Sequence, residues 1–323
     1  MPTAIRIERT GGPEVLTPAD VDPPSPGSGE VLVDVEAAGV NYIDTYQRSG
    51  VYRVALPYTP GLEGAGTVAE VGPDVTGIAV GDRVAWQGHP GGYAQRAVVP
   101  ARVVVPVPDG VSAQTAAATM LQGVTAHYLV NSTYPVAEGE TILVHAAAGG
   151  VGLLLTQLAK AKGARVIGTV STEEKERLAR AAGADEVIRY TERDFAEAVD
   201  ELTGGDGVPV VYDGVGASTY EASLRSLRRR GTLVLFGASS GPVPPIDPQV
   251  LNSGGSLYLT RPTSGDYTAT RDELEWRTGE LFAAVSAGEL DVRIGATYPL
   301  ADARRAHEDL EGRRTTGKVL LTP

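Results

Sequence analysis

The sequence predicts an α/β protein made of a partly open β-barrel domain and a doubly wound parallel sheet inserted into it. Three observations support this fold class. Short, turn-bounded β-like segments fill the first 120 residues, strands and helices alternate from Glu140 onwards, and the chain after Arg261 resembles its first part again. Alternating strands and helices are typical of a parallel sheet, whereas many short punctuated strands indicate a barrel or sandwich.

In the first part, glycine and proline separate the apolar segments, as in the Gly11-Gly12-Pro13 sequence. These residues favour turns over regular structure. We expect strands at residues 4–7, 30–38, 66–71, 83–85, 94–100 and 103–106. One helix, at residues 112–130, leads out of the predicted barrel.

In the central part, the expected strands are residues 141–145, 165–170, 186–189, 209–213, 232–236 and 257–260. The helices between them are residues 151–162, 173–182, 195–203 and 217–228. A helix at 271–287, a strand at 294–299, a helix at 301–313 and a strand at 318–322 return to the first domain. We therefore expect one domain at residues 1–121 with 262–323, and a second at 122–261.

The turn after the first central strand carries the strongest motif, AAGGVG at residues 147–152. When it is aligned with G-x-G-x-x-G, Ala147 replaces the first glycine, Gly149 lets the backbone approach a pyrophosphate, and Gly152 lets the helix pack closely. The helix N-terminus offers N–H groups to the phosphates. The turn predicts dinucleotide binding; a glycine turn used only for packing is the alternative.

The end of the next strand bears on which dinucleotide is bound. Sites that prefer NADH usually carry a carboxylate there, which accepts a hydrogen bond from the ribose 2′-hydroxyl. In this chain no carboxylate stands at the strand tip, and Ser171 is followed by Lys175. A serine and a lysine suit a 2′-phosphate, which favours NADPH. Glu173 and Glu174 weaken the argument, although acids in the first turn of a helix also stabilise that helix.

The composition argues against several classes of function. The 323-residue chain has a formal net charge of −12, which argues against a surface that binds nucleic acid or an anionic membrane. It contains no cysteine, so disulfides, thiolate catalysis and thiolate-ligated zinc are excluded. Charged residues interrupt the apolar segments, so neither a signal peptide nor a membrane span is expected. The expected location is the cytoplasm.

Four motifs follow one another along the chain: GVNYIDTY at residues 39–46, GLEGAG at 61–66, GDRV at 81–84 and HAAAGGVG at 145–152. With them the chain resembles the zinc-free NADPH:quinone oxidoreductase (zeta-crystallin-like) branch of the medium-chain dehydrogenase/reductase superfamily, over essentially its whole length. The resemblance implies a GroES-like barrel domain, a Rossmann domain and a cleft between them. It also implies a homodimer in which the edge strand at residues 257–260 pairs across a two-fold axis.

The chain departs from the zinc-dependent members of that superfamily at their ligand positions. Those members carry histidine before the glutamate of a Gly-His-Glu motif, where this chain has Leu62, and they use cysteine ligands. Its four histidines, at positions 89, 127, 145 and 307, share no ligand-like spacing and are expected to be packed or surface side chains. No metal is expected, so the favoured reaction is reduction of an acceptor that needs no Lewis acid.

For the nicotinamide end of the cofactor, the resemblance implies roles for Asn41, Tyr46 and Tyr52, the candidate catalytic residues. Asn41 would hydrogen-bond a cofactor hydroxyl or carboxamide, Tyr46 would line the cleft, and Tyr52 would lie at its mouth. A turn residue and a core aromatic are the alternatives for the first two. Thr125 and Lys318 would lie nearby; the alternatives are a threonine bonded to its own helix and a lysine at the rim.

For the rest of the cofactor, the resemblance implies contacts from the loops that follow the central strands. Such loops bind the ligand in doubly wound sheets. The implied residues are Ala148, Gly149, Gly150 and Val151 at the pyrophosphate; Ser171, Lys175 and Tyr190 at the adenosine; Val215, Gly216, Phe236, Gly237 and Ala238 after the fourth and fifth strands; and Arg261 after the sixth.

The expected reaction is metal-free hydride or electron transfer from NADPH to a quinone. The cofactor would carry the chemistry, while the protein binds and orients the reactants. No general acid is obvious, because Tyr46 and Tyr52 lack a neighbour that would tune them, and Asp44 is equally explained as a helix-start carboxylate. Two alternatives stay open: reduction of activated double bonds in 2-alkenals or enones, and a non-enzymatic NADPH-binding role.

Overall fold

The computed structural model describes residues 1–323, which divide into two compact units. The first unit is Met1–Val124 with Tyr267–Pro323, and the second is Thr125–Asp266. The first is built mainly on antiparallel strands, with one parallel pair, and the second on a parallel sheet. The predicted fold class, a β-rich domain interrupted by a doubly wound sheet, is confirmed.

The N-terminal part of the first unit holds seven strands and two helices. The strands are β1 (Thr3–Arg6), β2 (Thr17–Asp20), β3 (Glu30–Val40), β4 (Glu63–Val71), β5 (Arg83–Gln87), β6 (Arg96–Pro100) and β7 (Val104–Pro106). The helices are α1 (Tyr42–Ser49) and α2 (Ala113–Tyr128). Helix α2 crosses into the second unit at Thr125, and a π-helical turn, Leu129–Thr133, continues it there.

The second unit alternates six strands with helices. Its strands are β8 (Thr141–Val144), β9 (Arg165–Val170), β10 (Glu186–Arg189), β11 (Val208–Asp213), β12 (Leu227–Leu235) and β13 (Tyr258–Thr260). Its helices are α3 (Gly150–Ala161), α4 (Glu173–Ala181), α5 (Phe195–Thr203), α6 (Tyr220–Arg225), α7 (Gln249–Ser253) and α8 (Ser264–Tyr267). The strands pair in the order β10-β9-β8-β11-β12-β13, and all pairs are parallel.

The remaining elements return to the first unit: α9 (Arg271–Ser286), β14 (Ile294–Pro299), α10 (Ala303–Glu311) and β15 (Lys318–Thr322). Its main sheet has the order β14-β15-β3-β4-β5-β7, with β6 also paired to β3. Strand β15 lies antiparallel to β3, with Val319 opposite Val40. This pairing brings Lys318 next to the start of α1, although the two segments lie at opposite ends of the chain.

The structure corrects one predicted element. The helix expected at residues 217–228 is α6, which ends at Arg225, and β12 begins at Leu227. Leu227 is buried and pairs with Val208 of β11. The three arginines that follow Leu227 are exposed, whereas Leu227 itself is buried. Burial of this apolar side chain in the sheet favours a strand over a longer helix. Strand β2 and helices α1, α7 and α8 were not among the predicted elements.

Helix α1 forms because both of its ends are capped. The side chains of Asn41, its N-cap, and Asp44 form a reciprocal capping box, in which Asp44 Oδ2 accepts from the Asn41 backbone N–H at 2.8 Å. Gly50 ends the helix with a φ of 84°, a left-handed conformation that glycine adopts without strain. The caps fix Asn41 at the junction between β3 and α1.

None of the helices combines the length and apolar character needed to cross a bilayer.

Candidate functional site

The turn between β8 and α3 is closed by its own backbone. Gly149 is the N-cap of α3, and its N–H donates to the carbonyl of Ala146 at 2.8 Å. A Cβ on Gly152 would lie 2.8 Å from Ala147 Cα and closer still to the Ala146 carbonyl oxygen. Only glycine fits at position 152 without moving the turn. The first N–H groups of a helix have no acceptor within it, so Gly150 and Val151 present N–H groups suited to an anion.

Ala147 stands where the dinucleotide motif has its first glycine, and the neighbouring strand accommodates it. Ala147 is buried, and its N–H donates to the carbonyl of Thr169 on β9 at 3.1 Å. Its methyl group faces Gly168: a Cβ on Gly168 would lie 2.8 Å from Ala147 Cβ. The missing glycine of the motif is therefore compensated by a glycine on the adjacent strand.

The residues predicted for the adenosine lie at the ends of β9 and β10. Tyr190 follows β10, and its N–H donates to the carbonyl of Val170 at 3.1 Å. The hydroxyl of Thr191 donates to the carbonyl of Ser171 at 3.1 Å, so Ser171 and Tyr190 lie side by side. Lys175 lies in the first turn of α4, which begins at the Thr172 N-cap. The structure thus groups Ser171, Lys175 and Tyr190 at one edge of the sheet.

The loops after β11 and β12 carry the other predicted contacts, and they are bonded to each other. Ser240 N–H donates to the Val215 carbonyl at 2.8 Å, and Ala217 N–H donates to the Gly241 carbonyl at 3.1 Å. Gly216 has a φ of 91°, and a Cβ on Gly237 would lie 2.5 Å from the Gly214 carbonyl oxygen. Val215, Gly216, Phe236, Gly237 and Ala238 therefore belong to one rigid double loop.

Arg261 follows β13, beside this double loop. Its Nη1 donates to the carbonyl of Leu235, the last residue of β12, at 2.9 Å. Thr125 is buried on α2 at the start of the second unit. Within this unit, Ala148, Gly149, Gly150 and Val151 and the contacts predicted from Ser171 to Arg261 all follow carboxyl ends of strands in the same parallel sheet.

In the first unit, Asn41 and Lys318 meet in a buried polar cluster with Glu63 and Gln122. Asn41 Oδ1 accepts from Lys318 Nζ at 2.9 Å and from Gln122 Nε2 at 3.1 Å, while Asn41 Nδ2 donates to Glu63. Lys318 also pairs directly with Glu63. Both charged side chains are at most 1 % exposed, so the rim position considered for Lys318 is wrong. The pairing of β15 with β3 instead places this lysine in the buried interior of the first unit.

Sequence reasoning missed Glu63 and Gln122 as members of this cluster. The signal was present in the GLEGAG motif, because a carboxylate in an otherwise apolar strand must find a partner. Glu63 finds it in Lys318 and in the backbone N–H of Leu121, which donates to its Oε2 at 2.6 Å. A Cβ on Gly39 would lie 2.6 Å from Lys318 Cε, so a glycine leaves the space that this ion pair occupies.

Asp44 is a second buried carboxyl in the first unit. Its Oδ2 accepts from the Asn41 backbone and from Tyr93 Oη at 3.0 Å, while its Oδ1 has no partner. Burial raises the pKa of Asp44 to about 7, and these two hydrogen bonds oppose that rise. Asp44 thus belongs to the capping box at the start of α1. With its raised pKa, it changes charge near neutral pH.

Behind Asp44, a chain of hydrogen bonds leads to His307 in the middle of α10. Tyr93 Oη lies 3.0 Å from His307 Nε2, and Arg48 Nη1 lies 3.1 Å from His307 Nδ1. Burial, with a contribution from the Arg48 charge, lowers the pKa of His307 to about 3. A neutral His307 accepts from Arg48 at Nδ1 and donates from Nε2 to Tyr93, which donates to Asp44. Each member fixes the orientation of the next.

Tyr46 and Tyr52 lie together on α1 and the loop after it. Their rings meet edge to face, with centroids 5.4 Å apart, and Tyr52 N–H donates to the Tyr46 carbonyl at 3.0 Å. Tyr52 is 41 % exposed, and the neighbouring Val51 and Leu56 are exposed as well. Tyr46 is partly buried rather than a core residue. The structure thus offers an accessible aromatic pair near the helix that Asn41 caps.

Two family models match the chain. The model of the alcohol dehydrogenase GroES-like domain matches residues 27–109, and that of the zinc-binding dehydrogenase matches residues 150–275. No group of three or more histidine, aspartate or glutamate side chains lies close enough together to hold a metal ion. The match therefore concerns the fold, and the zinc in the second name has no corresponding ligand set in this chain.

Curated relatives and solved structures match over the full length. The quinone oxidoreductase of Pseudomonas aeruginosa is 48 % identical over 325 residues and covers 100 % of both chains. The 2-haloacrylate reductase of a Burkholderia species is 42 % identical, over 100 % of this chain and 99 % of its own.

Two solved structures in complex with NADPH are similar to the whole chain. A mycobacterial protein is 55 % identical with a TM-score of 0.97, over 99 % of this chain and 100 % of its own. The Escherichia coli quinone oxidoreductase is 46 % identical with a TM-score of 0.98, over the same shares of the two chains.

Proposed function

This chain belongs to the quinone oxidoreductase family of the medium-chain dehydrogenases/reductases, and we propose that it reduces quinones with NADPH. The observation that carries the proposal is the turn between β8 and α3. Its backbone closes on itself, position 152 admits only glycine, and α3 begins directly behind it. Full-length identity to proteins named quinone oxidoreductase supports the choice of acceptor.

The residues present fit NADPH. The α3 N-terminus, with Ala148, Gly149, Gly150 and Val151, would hold the pyrophosphate. Ser171, Lys175 and Tyr190 would hold the 2′-phosphoribose, because a hydroxyl and an ammonium group suit a dianion where a carboxylate would repel it. The double loop with Val215, Gly216, Phe236, Gly237 and Ala238, together with Arg261 and Thr125, would contact the remainder.

When bound, NADPH supplies the reducing equivalent, and the chain's own residues bind and orient the reactants. Asn41 is suited to orienting the nicotinamide because its amide cannot rotate freely. Its Oδ1 is held by two donors and its Nδ2 by a carboxylate. The charge of Lys318 is balanced by that of Glu63, so the cluster orients the Asn41 amide without adding net charge. Tyr46 and Tyr52 offer an apolar, aromatic surface for a planar acceptor.

The proposal is tested by mixing purified protein with NADPH and, separately, 1,4-benzoquinone, 9,10-phenanthrenequinone or a 2-alkenal, and following NADPH absorbance. We expect rapid oxidation of NADPH with at least one quinone and slower oxidation with the alkenal. Turnover of the alkenal alone would show that the acceptor has been assigned wrongly.

Reduction of an activated carbon–carbon double bond is the second candidate function. The observation that favours it is the full-length identity of 42 % to a 2-haloacrylate reductase. Chromatography of the products separates the two, because a quinone gives a hydroquinone, whereas an enone or haloacrylate gives a saturated product. The same enzyme preparation and the same NADPH concentration serve both assays.

We also propose that the protein is a homodimer formed through β13. This strand is an edge of the six-stranded sheet, and Tyr258 on it is 61 % exposed. An unprotected edge strand is a template for pairing with another chain. Light scattering should give twice the chain mass for the wild type and for Val80→Lys, a change at an exposed site of the first unit. Tyr258→Lys should shift the protein towards the monomer; an unchanged mass would refute this interface.

A further inference from the structure

The second unit contains buried polar side chains that are not among its predicted cofactor contacts. His145 follows β8 directly, and Asp213 is the last residue of β11. Both are at most 1 % exposed. Polar groups that are removed from water in this way cost free energy unless they are hydrogen-bonded, so their partners indicate what the fold gains from them.

Asp213 holds the first turn of the loop after β11. Its Oδ1 accepts from the backbone N–H groups of Val215 at 2.8 Å and Gly216 at 3.0 Å. Its Oδ2 accepts from the hydroxyls of Thr219 at 2.7 Å and Ser223 at 2.9 Å. Four donors thus converge on one carboxylate, and two of them belong to the residues proposed to contact the cofactor.

His145 extends this arrangement across the sheet. Its Nε2 lies 3.0 Å from Ser223 Oγ, and its Nδ1 lies 2.8 Å from Thr169 Oγ1 on β9. The ring of Phe195 packs edge-on against the imidazole, with centroids 4.6 Å apart. We call Thr169, His145, Ser223 and Asp213 the relay.

The relay has a single consistent direction. A carboxylate only accepts, so Ser223 donates to Asp213 and its oxygen must then accept from His145 Nε2–H. His145 Nδ1 is consequently unprotonated and accepts from the Thr169 hydroxyl. Burial lowers the pKa of His145, against the opposing charge of Asp213, which agrees with a neutral ring.

The relay connects three loops that end at the same edge of the sheet. Thr169 lies two residues before Ser171, and His145 lies directly before the glycine turn. Asp213 shapes the turn with Val215 and Gly216, which is bonded in turn to the loop after β12. The glycine turn after β8 and the loops after β9 and β11 therefore each have an anchor in, or next to, the relay.

We propose that Thr169, His145, Ser223 and Asp213 are positioning residues, which preset the loops of the second unit for NADPH without touching it; this rests on the proposed function. Because the loops are held in place before the cofactor arrives, less ordering is left for the binding step. The relay should therefore contribute to cofactor affinity more than to turnover once the cofactor is bound.

The affinity test compares Ser223→Ala and Asp213→Ala with Ser226→Ala. Ser226 is a matched control: it is a buried serine at the end of the same helix, and its hydroxyl donates only to the Ala222 carbonyl, at 2.9 Å. Calorimetry should show NADPH binding about tenfold weaker for Ser223→Ala, which removes the hydrogen bonds of this hydroxyl to Asp213 and His145, and weaker still for Asp213→Ala. Turnover at saturating NADPH should change by less than about twofold.

Thermal unfolding without NADPH separates positioning from general damage. If Ser223→Ala and Ser226→Ala lower the melting temperature equally and leave NADPH affinity equal, the relay is only structural and the proposal is wrong. If wild-type protein does not bind NADPH at all, the proposed function fails instead, which is a different result.

The direction of the relay is tested by ¹⁵N NMR of histidine-labelled protein, which does not depend on activity. The wild type should show His145 with its proton on Nε2. In Asp213→Asn, an amide nitrogen that replaces Oδ2 would donate to Ser223, which would reverse the relay and move the proton to Nδ1. His145→Gln should restore most of the affinity lost in His145→Leu, because glutamine offers an acceptor and a donor. A wild-type His145 protonated on Nδ1 would refute the arrangement.

Discussion

At the scale of the residue, the first unit depends on charges that are buried in pairs. Glu63 and Lys318 are removed from water together, and Asn41 bridges them. Taking two charges into the interior is costly, and what matters most is that neither is left alone. This explains why a carboxylate occurs in the middle of an apolar strand, and why Gly39 faces it without a side chain.

Removal of one member of the pair should be worse than removal of both. We expect Glu63→Leu or Lys318→Leu to lower the free energy of unfolding by about 3–5 kcal/mol, since each leaves an unpaired buried charge. The double variant should lose less than either single variant, because it leaves no unpaired charge. Both tryptophans, Trp86 and Trp276, lie in the first unit, so their fluorescence during urea unfolding reports on this unit. Additive losses would show that the two charges act independently.

Asp44 should make stability depend on pH. Its pKa is raised from 3.8 to about 7 in the fold, so the folded state binds a proton more tightly than the unfolded chain. The stability that it contributes is complete below about pH 4 and is lost as pH rises to about 7, at up to about 1.4 kcal/mol per pH unit. Asp44→Asn should remove this slope.

The measurement for Asp44 is urea unfolding between pH 4 and pH 8. The comparison between wild type and Asp44→Asn isolates this carboxyl, because Tyr93, Glu63 and Lys318 face it in both proteins. Asp34→Asn, a change at an exposed carboxylate paired with Arg96, is the control and should keep the slope. Parallel curves for wild type and Asp44→Asn would contradict the prediction.

Lys175 should decide between the two nicotinamide cofactors. Loss of one charge-assisted contact to a 2′-phosphate costs about 1.5–3 kcal/mol, so Lys175→Ala should raise the KM for NADPH by about tenfold or more. The KM for NADH should hardly change. Lys162→Ala, at the C-terminal end of α3, serves as the control and should leave both KM values unchanged. Equal changes for both cofactors would place the 2′-phosphate elsewhere.

At the scale of the element, the position of α3 depends on the absence of a Cβ at Gly152, in its first turn. Gly152 packs on the β8 turn at a distance that no Cβ permits. The strand, the turn and the helix therefore act as one element, and a single methyl group changes all three. A substitution on the exposed face of a helix has no such effect, because nothing packs against it.

Two glycine-to-alanine changes should consequently have opposite effects. Gly152→Ala should displace the turn and weaken NADPH binding at least about tenfold, which calorimetry measures. Gly279→Ala, on α9 where a Cβ meets open space, should leave binding intact and stabilise the protein by about 1 kcal/mol. Wild-type affinity in Gly152→Ala would show that the turn can relax.

Local patterns predicted some elements well and others not at all. The β8–α3–β9 unit was predictable because its strand, glycine turn and helix are consecutive in the chain. Helix α1 was not, because the side chains that it buries, Asp44, Thr45 and Arg48, are polar, and Arg48 finds its partners on the distant helix α10. Asp44 is a helix-start residue, one of the interpretations that the sequence allows. Its contact with Tyr93, 49 positions away, could not be predicted.

At the scale of the whole molecule, the fold class and family follow from the order of motifs along the chain, but much of the candidate site does not. Glu63 and Lys318 are 255 positions apart, and Asp213 meets His145 only through a serine on α6. Such contacts arise from strand pairing and helix packing. They leave only an indirect trace in the sequence: a polar residue where burial would favour an apolar one.

The pairing of β15 with β3 also has a consequence for protein synthesis. Residues 125–266 leave the ribosome as one continuous segment, and domains generally fold as units while the chain is made. Strand β3 emerges far earlier than its neighbour β15, and Glu63 waits without its lysine while some 250 residues are translated. The inserted unit therefore has the opportunity to fold first, and the exposed edge of β3 is the segment that a nascent chain must protect from aggregation until the last strand arrives.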